Sequence, residues 1–433
     1  MSNLTSRKIF KFWYPLATTW LMMSLEGPFI AALIARLPEP KFNLAAYGIA
    51  FSFALLIEAP IIMIMSASTA LVKNKDSFIK LRNFTYLLNL LITLLFLLIL
   101  IPNIFYFITI DLMTLPQEVA KLTHYALIIL LPWPSAIGYR RFYQGILIRN
   151  NLTNRVAYGT VLRLSSMAIT ATILFSFMDI HGSVVGAAAM SVGVTVEAIA
   201  SKLMCNSTLR KIKKTENQKA EILNYSGIIK FYYPLALTSM LSLGVQPMVS
   251  FFLGQSRMAI ESLAVLPVIN SLVFIFRSAG LSFQEVGIAL MGKHGENYTA
   301  LKKFARILGF TATFILVIIA ITPLSEFWFR NVSGLSWELT RFAILPLIIF
   351  SVMPGLSVML SFQRSVLVYA KKTSPITFAT ATEVIGIILI LFITIKYFDW
   401  VGVVAATTAF TIGRMGSISY LMPSFLKTTK EFT

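Results

Sequence analysis

Within long apolar stretches of this chain stand carboxylates at Glu26, Glu58, Glu197, Glu285 and Glu383, and guanidinium groups at Arg140, Arg141, Arg163, Arg277, Arg364 and Arg414. A charge in such a segment is costly in hydrocarbon, so it faces a cavity or a partner and marks a functional position by default. The bases are arginines and none is lysine. Arginine keeps its proton in apolar surroundings and offers a planar fork to carboxylate or phosphate, which suits an internal ion pair or an anion site. Glu26 lies midway along the first apolar stretch, with Gln246 one position from its counterpart in the seventh. A carboxyl there is either a proton or sodium coupling site or the cap of a proline-broken helix.

These charges are spaced by an internal repeat. Phe12-Trp13-Tyr14-Pro15-Leu16-Ala17 returns as Phe231-Tyr232-Tyr233-Pro234-Leu235-Ala236, Leu25-Glu26-Gly27-Pro28 faces Gly244-Val245-Gln246-Pro247, and Asp179, Gly182 and Gly193 face Asp399, Gly402 and Gly413. At this offset Arg163 falls on Glu383, and Glu58 falls at or beside Arg277. Opposite charges at equivalent positions of two halves could meet as gate pairs or substrate ligands; the alternative is that each pairs within its own half. Pro28 and Pro247 also match and are hinge candidates, against the background that proline is common in membrane helices.

The elements that must hold these residues are membrane helices. Of 433 residues 57% are apolar and 13% charged, and the mean hydropathy is positive, so a water-soluble surface is excluded. Crossing a hydrocarbon core of about 30 Å takes roughly 20 apolar residues. Stretches of this kind recur twelve times, at roughly 11–36, 43–72, 81–108, 119–149, 154–178, 182–205, 227–254, 262–291, 301–325, 338–370, 374–397 and 401–424. The expectation is an all-α polytopic protein. Residues 1–205 form an N-terminal six-helix lobe, 206–226 a polar cytoplasmic linker, and 227–433 a C-terminal six-helix lobe. An even helix count per half makes the two copies parallel repeats that enclose a cavity and rock about it.

Lys and Arg concentrate at the amino terminus and in alternate connections, among them Arg7, Lys8, Lys73, Lys75, Arg210, Lys211, Lys302, Lys303, Lys371 and Lys372; the opposite connections hold Arg36, Lys41, Lys121, Arg257, Arg330 and Lys396. Basic loops stay on the cytoplasmic side, which places both termini there, in a bacterial inner membrane or a plasma membrane. This topology and anionic lipid account for much of the net charge of +19, so no nucleic-acid partner is invoked. Cys205 stands alone and His124, His181 and His294 are scattered, so neither a disulfide nor a metal site is expected. No Gly-x-x-x-x-Gly-Lys-Ser/Thr loop is present, which disfavours an ATPase, and nothing marks a catalytic residue or a cofactor site.

The proline-bearing first helix and the Leu44-Ala45-Ala46-Tyr47-Gly48 opening of the second resemble the multidrug and toxic compound extrusion (MATE) branch of the multidrug/oligosaccharidyl-lipid/polysaccharide (MOP) exporter superfamily. The second half resembles the progressive ankylosis family still more, through Phe231-Tyr232-Tyr233-Pro234-Leu235-Ala236, Gln246-Pro247-Met248-Val249, Phe350-Ser351-Val352-Met353-Pro354 and Lys371-Lys372-Thr373. The resemblance implies a monomeric exporter without its own ATPase, its central cavity lined mainly by the first, second, fourth, fifth, seventh, eighth, tenth and eleventh helices. Where the MATE branch carries an aspartate in the first helix, Glu26 lies nearby. Ankylosis-like relatives are linked to efflux of organic or phosphate anions, which the intramembrane arginines suit. The expected function is a non-enzymatic secondary exporter of a small, anionic, organic or phosphate-bearing solute, bound between the lobes near Glu58, Arg163, Arg277 and Glu383, with Arg140 and Arg364 as further candidates and H+ or Na+ at Glu26. The alternatives are a cation-coupled multidrug antiporter and a flippase for a lipid-linked headgroup.

Overall fold

The computed structural model describes the chain except residues 1–3, 151, 215–223, 371, 373, 431 and 433. Residues 215–223 of the expected linker, together with Lys371 and Thr373, therefore lie outside the described residues, while its first part, through Lys214, continues the preceding helix. Every regular element among the rest is helical. In chain order the first half holds α1 (Ser6–Ser24), α2 (Glu26–Ile34), α3 (Pro40–Glu58), α4 (Ile64–Leu71), α5 (Lys75–Ile99), α6 (Pro102–Tyr106), α7 (Gln117–Ile129), α8 (Trp133–Arg149), α9 (Thr153–Phe177) and α10 (Gly182–Lys214). The second holds α11 (Tyr225–Leu243), α12 (Val245–Gly254), α13 (Ala259–Leu290), α14 (Tyr298–Ile321), α15 (Leu324–Glu326), α16 (Trp337–Phe350), α17 (Met353–Tyr369), α18 (Ser374–Lys396) and α19 (Gly402–Lys430).

Proline explains most interruptions. It lacks an N–H, and its ring opposes the carbonyl four residues earlier. For Pro28 that residue is Ser24, where α1 ends; for Pro247 it is Leu243, where α11 ends; for Pro354 it is Phe350, where α16 ends. Pro134 acts alike on Leu130, just past α7. Both Pro134 and Pro354 then sit in the first turn of the helix that follows, where the missing N–H costs nothing. Pro60 separates α3 from α4, whereas the equivalent position of α13 is Ala279 and that helix runs on. The repeat extends to short π-helical segments at Phe107–Leu112 and Phe327–Val332.

Among the described residues ten helices or joined helices are long and apolar enough to cross a membrane. The expected fourth and twelfth spans fall outside these ten. The fourth is divided into α7 and α8, of 13 and 17 residues; the twelfth, α19, is diluted by Thr407, Thr411 and Arg414. Large apolar side chains such as Leu87, Leu90, Leu94 and Leu98 on α5 are about half exposed, as a lipid-facing surface requires.

The chain forms two compact units. One comprises Met1–Arg36 with Phe252–Thr433, the other Leu37–Phe251. The sequence repeat divides near the linker instead, so α1 and α2 pack with the second half, and α11 packs with the first. Inside the first unit the Trp13 indole donates to Ser282 Oγ at 2.9 Å and so fixes α1 to α13. Inside the second, Ser239 Oγ and Tyr232 Oη on α11 each donate over 2.7 Å to the Ala59 and Pro60 carbonyls freed by the α3–α4 break.

Two repeat-related glycines let the charged helices touch. A Cβ on Gly193 of α10 would lie 3.1 Å from the Arg163 carbonyl oxygen, and one on Gly413 of α19 would lie 3.0 Å from that of Glu383 and 2.7 Å from Ile387 Cγ1. Overpacking of this kind costs about 1–3 kcal/mol. Gly413→Val should therefore lower the thermal unfolding midpoint of the detergent-purified protein. Gly416→Ala, whose Cβ meets nothing within 4 Å, should leave the midpoint unchanged or raise it.

Candidate functional site

In the unit Leu37–Phe251 the buried charges form one connected group. Trp133, Arg140 and Gln144 recur at helical spacing along one face of α8. The Trp133 Nε1–H donates to Glu58 Oε2 at 2.6 Å, at the end of α3 where Pro60 interrupts the ladder. Arg163 of α9 places its guanidinium 5.6 Å from the Trp133 ring centre and its Nη1 4.0 Å from Glu197 Oε2. Glu197 of α10 is 1% exposed, forms an ion pair with Arg140, and accepts from Gln144 Nε2 at 3.0 Å. The charge of Arg141 also reaches Glu58 and Glu197. Glu58 and Glu197 thus answer Arg140, Arg141 and Arg163, yet Nε of both Arg140 and Arg141 is buried without an acceptor among the described residues.

The unit Met1–Arg36 with Phe252–Thr433 holds a second group built differently. Ser357 and Arg364 share a face of α17, and Thr380 and Glu383 share a face of α18. Arg414 Nε of α19 donates to Glu383 Oε1 at 2.8 Å. Arg277 Nε of α13 donates to Ser357 Oγ at 3.2 Å, and Arg364 Nη2 to Thr380 Oγ1 at 3.1 Å. Both Arg277 and Arg364 feel the charges of Arg414 and Glu383. One carboxylate, paired with Arg414, therefore lies within electrostatic reach of three guanidinium groups, and Arg364 Nε is buried with no acceptor among the described residues. An anion of suitable size would supply what this group lacks.

Arg163 and Glu383 thus each have an opposite charge on the next helix of their own unit: α9 and α10 carry Arg163 and Glu197, while α18 and α19 carry Glu383 and Arg414. Glu58 is bound by Trp133, and Arg277 by Ser357. Trp133, Gln144, Ser357 and Thr380 were outside the expected set. Helical spacing from Arg140 and Arg364 points to Trp133, Gln144 and Ser357, but neutral residues raise no alarm in an apolar span. Glu26 is the first residue of α2 and 7% exposed; the positive end of that helix favours a carboxylate there. Pro28 and Pro247 lie just beyond their helix breaks. Glu285 is exposed on α13, apart from both groups. Among the described residues no cluster of His, Cys, Asp and Glu could hold a metal ion.

No protein-family model matches the chain, and no curated protein matches it. Solved structures do match in fold. An inward-facing multidrug resistance MATE family transporter of the MOP superfamily superposes with a TM-score of 0.75 over 95% of both chains at 16% identity. Lipid II flippase MurJ, in an inward closed conformation, gives 0.74 over 97% of this chain and 89% of its own at 18% identity. A MOP superfamily transporter from Pyrococcus furiosus, described as having a binding pocket of reverse polarity, gives 0.61 over 100% and 98% at 14% identity.

The local pairing is testable by charge exchange. Removing one partner of a buried ion pair costs about 3–5 kcal/mol. Glu383→Arg should therefore destabilise the purified protein strongly, and adding Arg414→Glu should recover most of the loss. The exchange Arg163→Glu with Glu383→Arg should recover nothing, because each residue would then face a like charge in its own unit. Thermal unfolding of the wild type and the three variants in detergent decides between these outcomes.

Proposed function

The chain has the MATE-like fold of the MOP exporter superfamily, and we propose that it works as an alternating-access secondary transporter exporting a small anionic solute, organic or phosphate-bearing. The observation that carries this reading is the group Arg277, Arg364 and Arg414 around the single carboxylate of Glu383. A surplus of cationic charge inside an apolar helix bundle is costly unless an anion neutralises it, and the guanidinium fork matches carboxylate and phosphate oxygens. Arg140, Arg141 and Arg163 in the other unit offer further contacts, offset there by Glu58 and Glu197. The protein is oriented with both termini in the cytoplasm and acts as a monomer in the bilayer. H+ or Na+ at Glu26 drives exchange, with Pro28 and Pro247 as the flexing points of the first and seventh helices.

The likeness to MurJ favours a second reading, a flippase for a lipid-linked headgroup, in which the same arginines would hold phosphate. The likeness to MATE transporters favours a third, cation-coupled multidrug antiport.

Flux in liposomes bearing the purified protein separates the three. Citrate, nucleotides and pyrophosphate should move in preference to a cationic dye. A charge-assisted hydrogen bond contributes about 1.5–3 kcal/mol, so Arg277→Gln or Arg364→Gln should cut anion flux roughly ten- to hundredfold while thermal stability holds. Dye flux driven by a proton or sodium gradient, untouched by these variants, would replace the anion reading with multidrug antiport. Scrambling of a fluorescent lipid-linked diphosphate without solute flux would replace it with the flippase.

A further inference from the structure

On the lipid-facing side of α5, α8 and α10, which pack against one another, two tyrosine rings stand between two cations, in a row that belongs to neither buried charge group. Arg82 of α5 holds its guanidinium carbon 5.9 Å from the Tyr86 ring centre. Tyr86 lies parallel to Tyr139 of α8, with centres 6.1 Å apart and planes 11° from coplanar orientation. Lys202 of α10 places Nζ 5.7 Å from the Tyr139 ring centre. The Tyr86 hydroxyl is fixed by the Tyr143 hydroxyl at 3.1 Å, and Tyr143 is buried. Tyr86 is 39% exposed and the Lys202 side chain is exposed.

Neither cation is neutralised by the protein. Among the described residues Arg82 donates to Asn83 Oδ1 and to no carboxylate. The acidic residue near it on α5, Asp76, is engaged by Lys80 at 2.9 Å. No ion pair to Arg82 or Lys202 occurs among the described residues.

Depth identifies the counter-ion. Arg82 lies about 26 Å along α5 from its end at Ile99, and Lys202 about 30 Å along α10 from its start at Gly182. Both distances match the thickness of the hydrocarbon core, so the two cations stand together at one membrane boundary. That boundary adjoins Lys73 and Lys75 before Arg82 and Arg210 and Lys211 after Lys202, which is the cytoplasmic side in the orientation proposed above. Anionic phospholipid is concentrated there. The ring faces cover the alkyl stems of the cations and leave a phenol hydroxyl beside them to donate to phosphate.

We propose that Arg82, Tyr86, Tyr139 and Lys202 form a binding site for the headgroup of one anionic phospholipid of the cytoplasmic leaflet. Arg82 and Lys202 flank the headgroup from either end of the two tyrosine rings while the acyl chains lie along the exposed apolar surface of α5, where Leu87, Leu90 and Leu94 project. It is separate from the cargo arginines and holds whether or not transport of an anion is established.

Native mass spectrometry of the detergent-solubilised protein, titrated with phosphatidylglycerol, phosphatidylcholine or inorganic phosphate, tests it. The wild type should retain one phosphatidylglycerol saturably and neither of the others. A basic residue at the membrane surface contributes about a fivefold gain in affinity for anionic lipid, so Arg82→Gln with Lys202→Gln should weaken retention about thirtyfold. Lys202→Gln alone, on an exposed side chain that leaves the fold intact, should weaken it about fivefold. Arg330→Gln with Arg341→Gln, on the opposite side, should change nothing. Equal retention of phosphatidylcholine would overturn the proposal, as would unaltered phosphatidylglycerol binding in the double variant. Failure of anion flux in liposomes would leave these outcomes as they are.

Discussion

Charge neutralisation inside an apolar helix bundle is the constraint on which the rest of this structure depends. Lipid offers no counter-ion and no hydrogen bond, so a buried guanidinium needs its partner from within the protein or from a bound ligand. The two units meet this demand in opposite ways. In one, Glu58 and Glu197 weave Arg140, Arg141 and Arg163 into a group that ties α3, α8, α9 and α10. In the other, Glu383 pairs with Arg414, and serine and threonine hydroxyls accept from Arg277 and Arg364. The closeness these pairs need is supplied by glycine: Gly193 and Gly413 bring α10 and α19 against the backbone beside Arg163 and Glu383.

The broken helices answer the same demand for backbone groups. A proline frees a carbonyl that lipid cannot satisfy. At the Pro60 break the freed Ala59 and Pro60 carbonyls are taken by Ser239 and Tyr232. The α11 helix therefore packs with the first half of the chain for a chemical reason, and Tyr232 belongs to the very motif by which the repeat is recognised. Glu58, one residue before the freed carbonyls, is placed by the same interruption to receive the Trp133 indole.

Much of this was legible in the sequence. Apolar length gave the helical class, the duplicated motifs showed which residues are equivalent, and the matched Pro28 and Pro247 fall just past the ends of α1 and α11, whereas Pro267 and Pro346 lie inside α13 and α16 without ending them. Partner choice was not legible. The repeat shows which residues are equivalent, and equivalence invited a pairing of Arg163 with Glu383. Contact is settled by which helix faces which, and the facing helices α10 and α19 carry their charges at non-equivalent positions, Glu197 and Arg414. The repeat also hides that α1 packs with the second half, since a sequence boundary at the linker says nothing about where a helix is buried. Neutral contacts such as Trp133, Ser357 and Thr380 look like ordinary helix residues until a charge is placed against them.

The inversion of charge between equivalent helices has a consequence for binding. A duplicated scaffold with identical charges would offer two similar sites, but here the α9–α10 pairing of arginine with glutamate becomes glutamate with arginine at α18–α19. The neighbouring side chains then decide the balance. Around Glu197 a second carboxylate, Glu58, stands by, so an anion approaching Arg140 or Arg163 must compete with two acids already in place. Around Glu383 no second acid among the described residues reaches Arg277 or Arg364, so an anion there displaces hydroxyl contacts rather than a carboxylate. Desolvating an anion is expensive, and the site with more unspent cationic charge returns more of that cost. The second group, with one carboxylate near three guanidiniums, is therefore where an anionic ligand gains most, and the first, with two carboxylates for three guanidiniums, serves chiefly to hold α3, α8, α9 and α10 together.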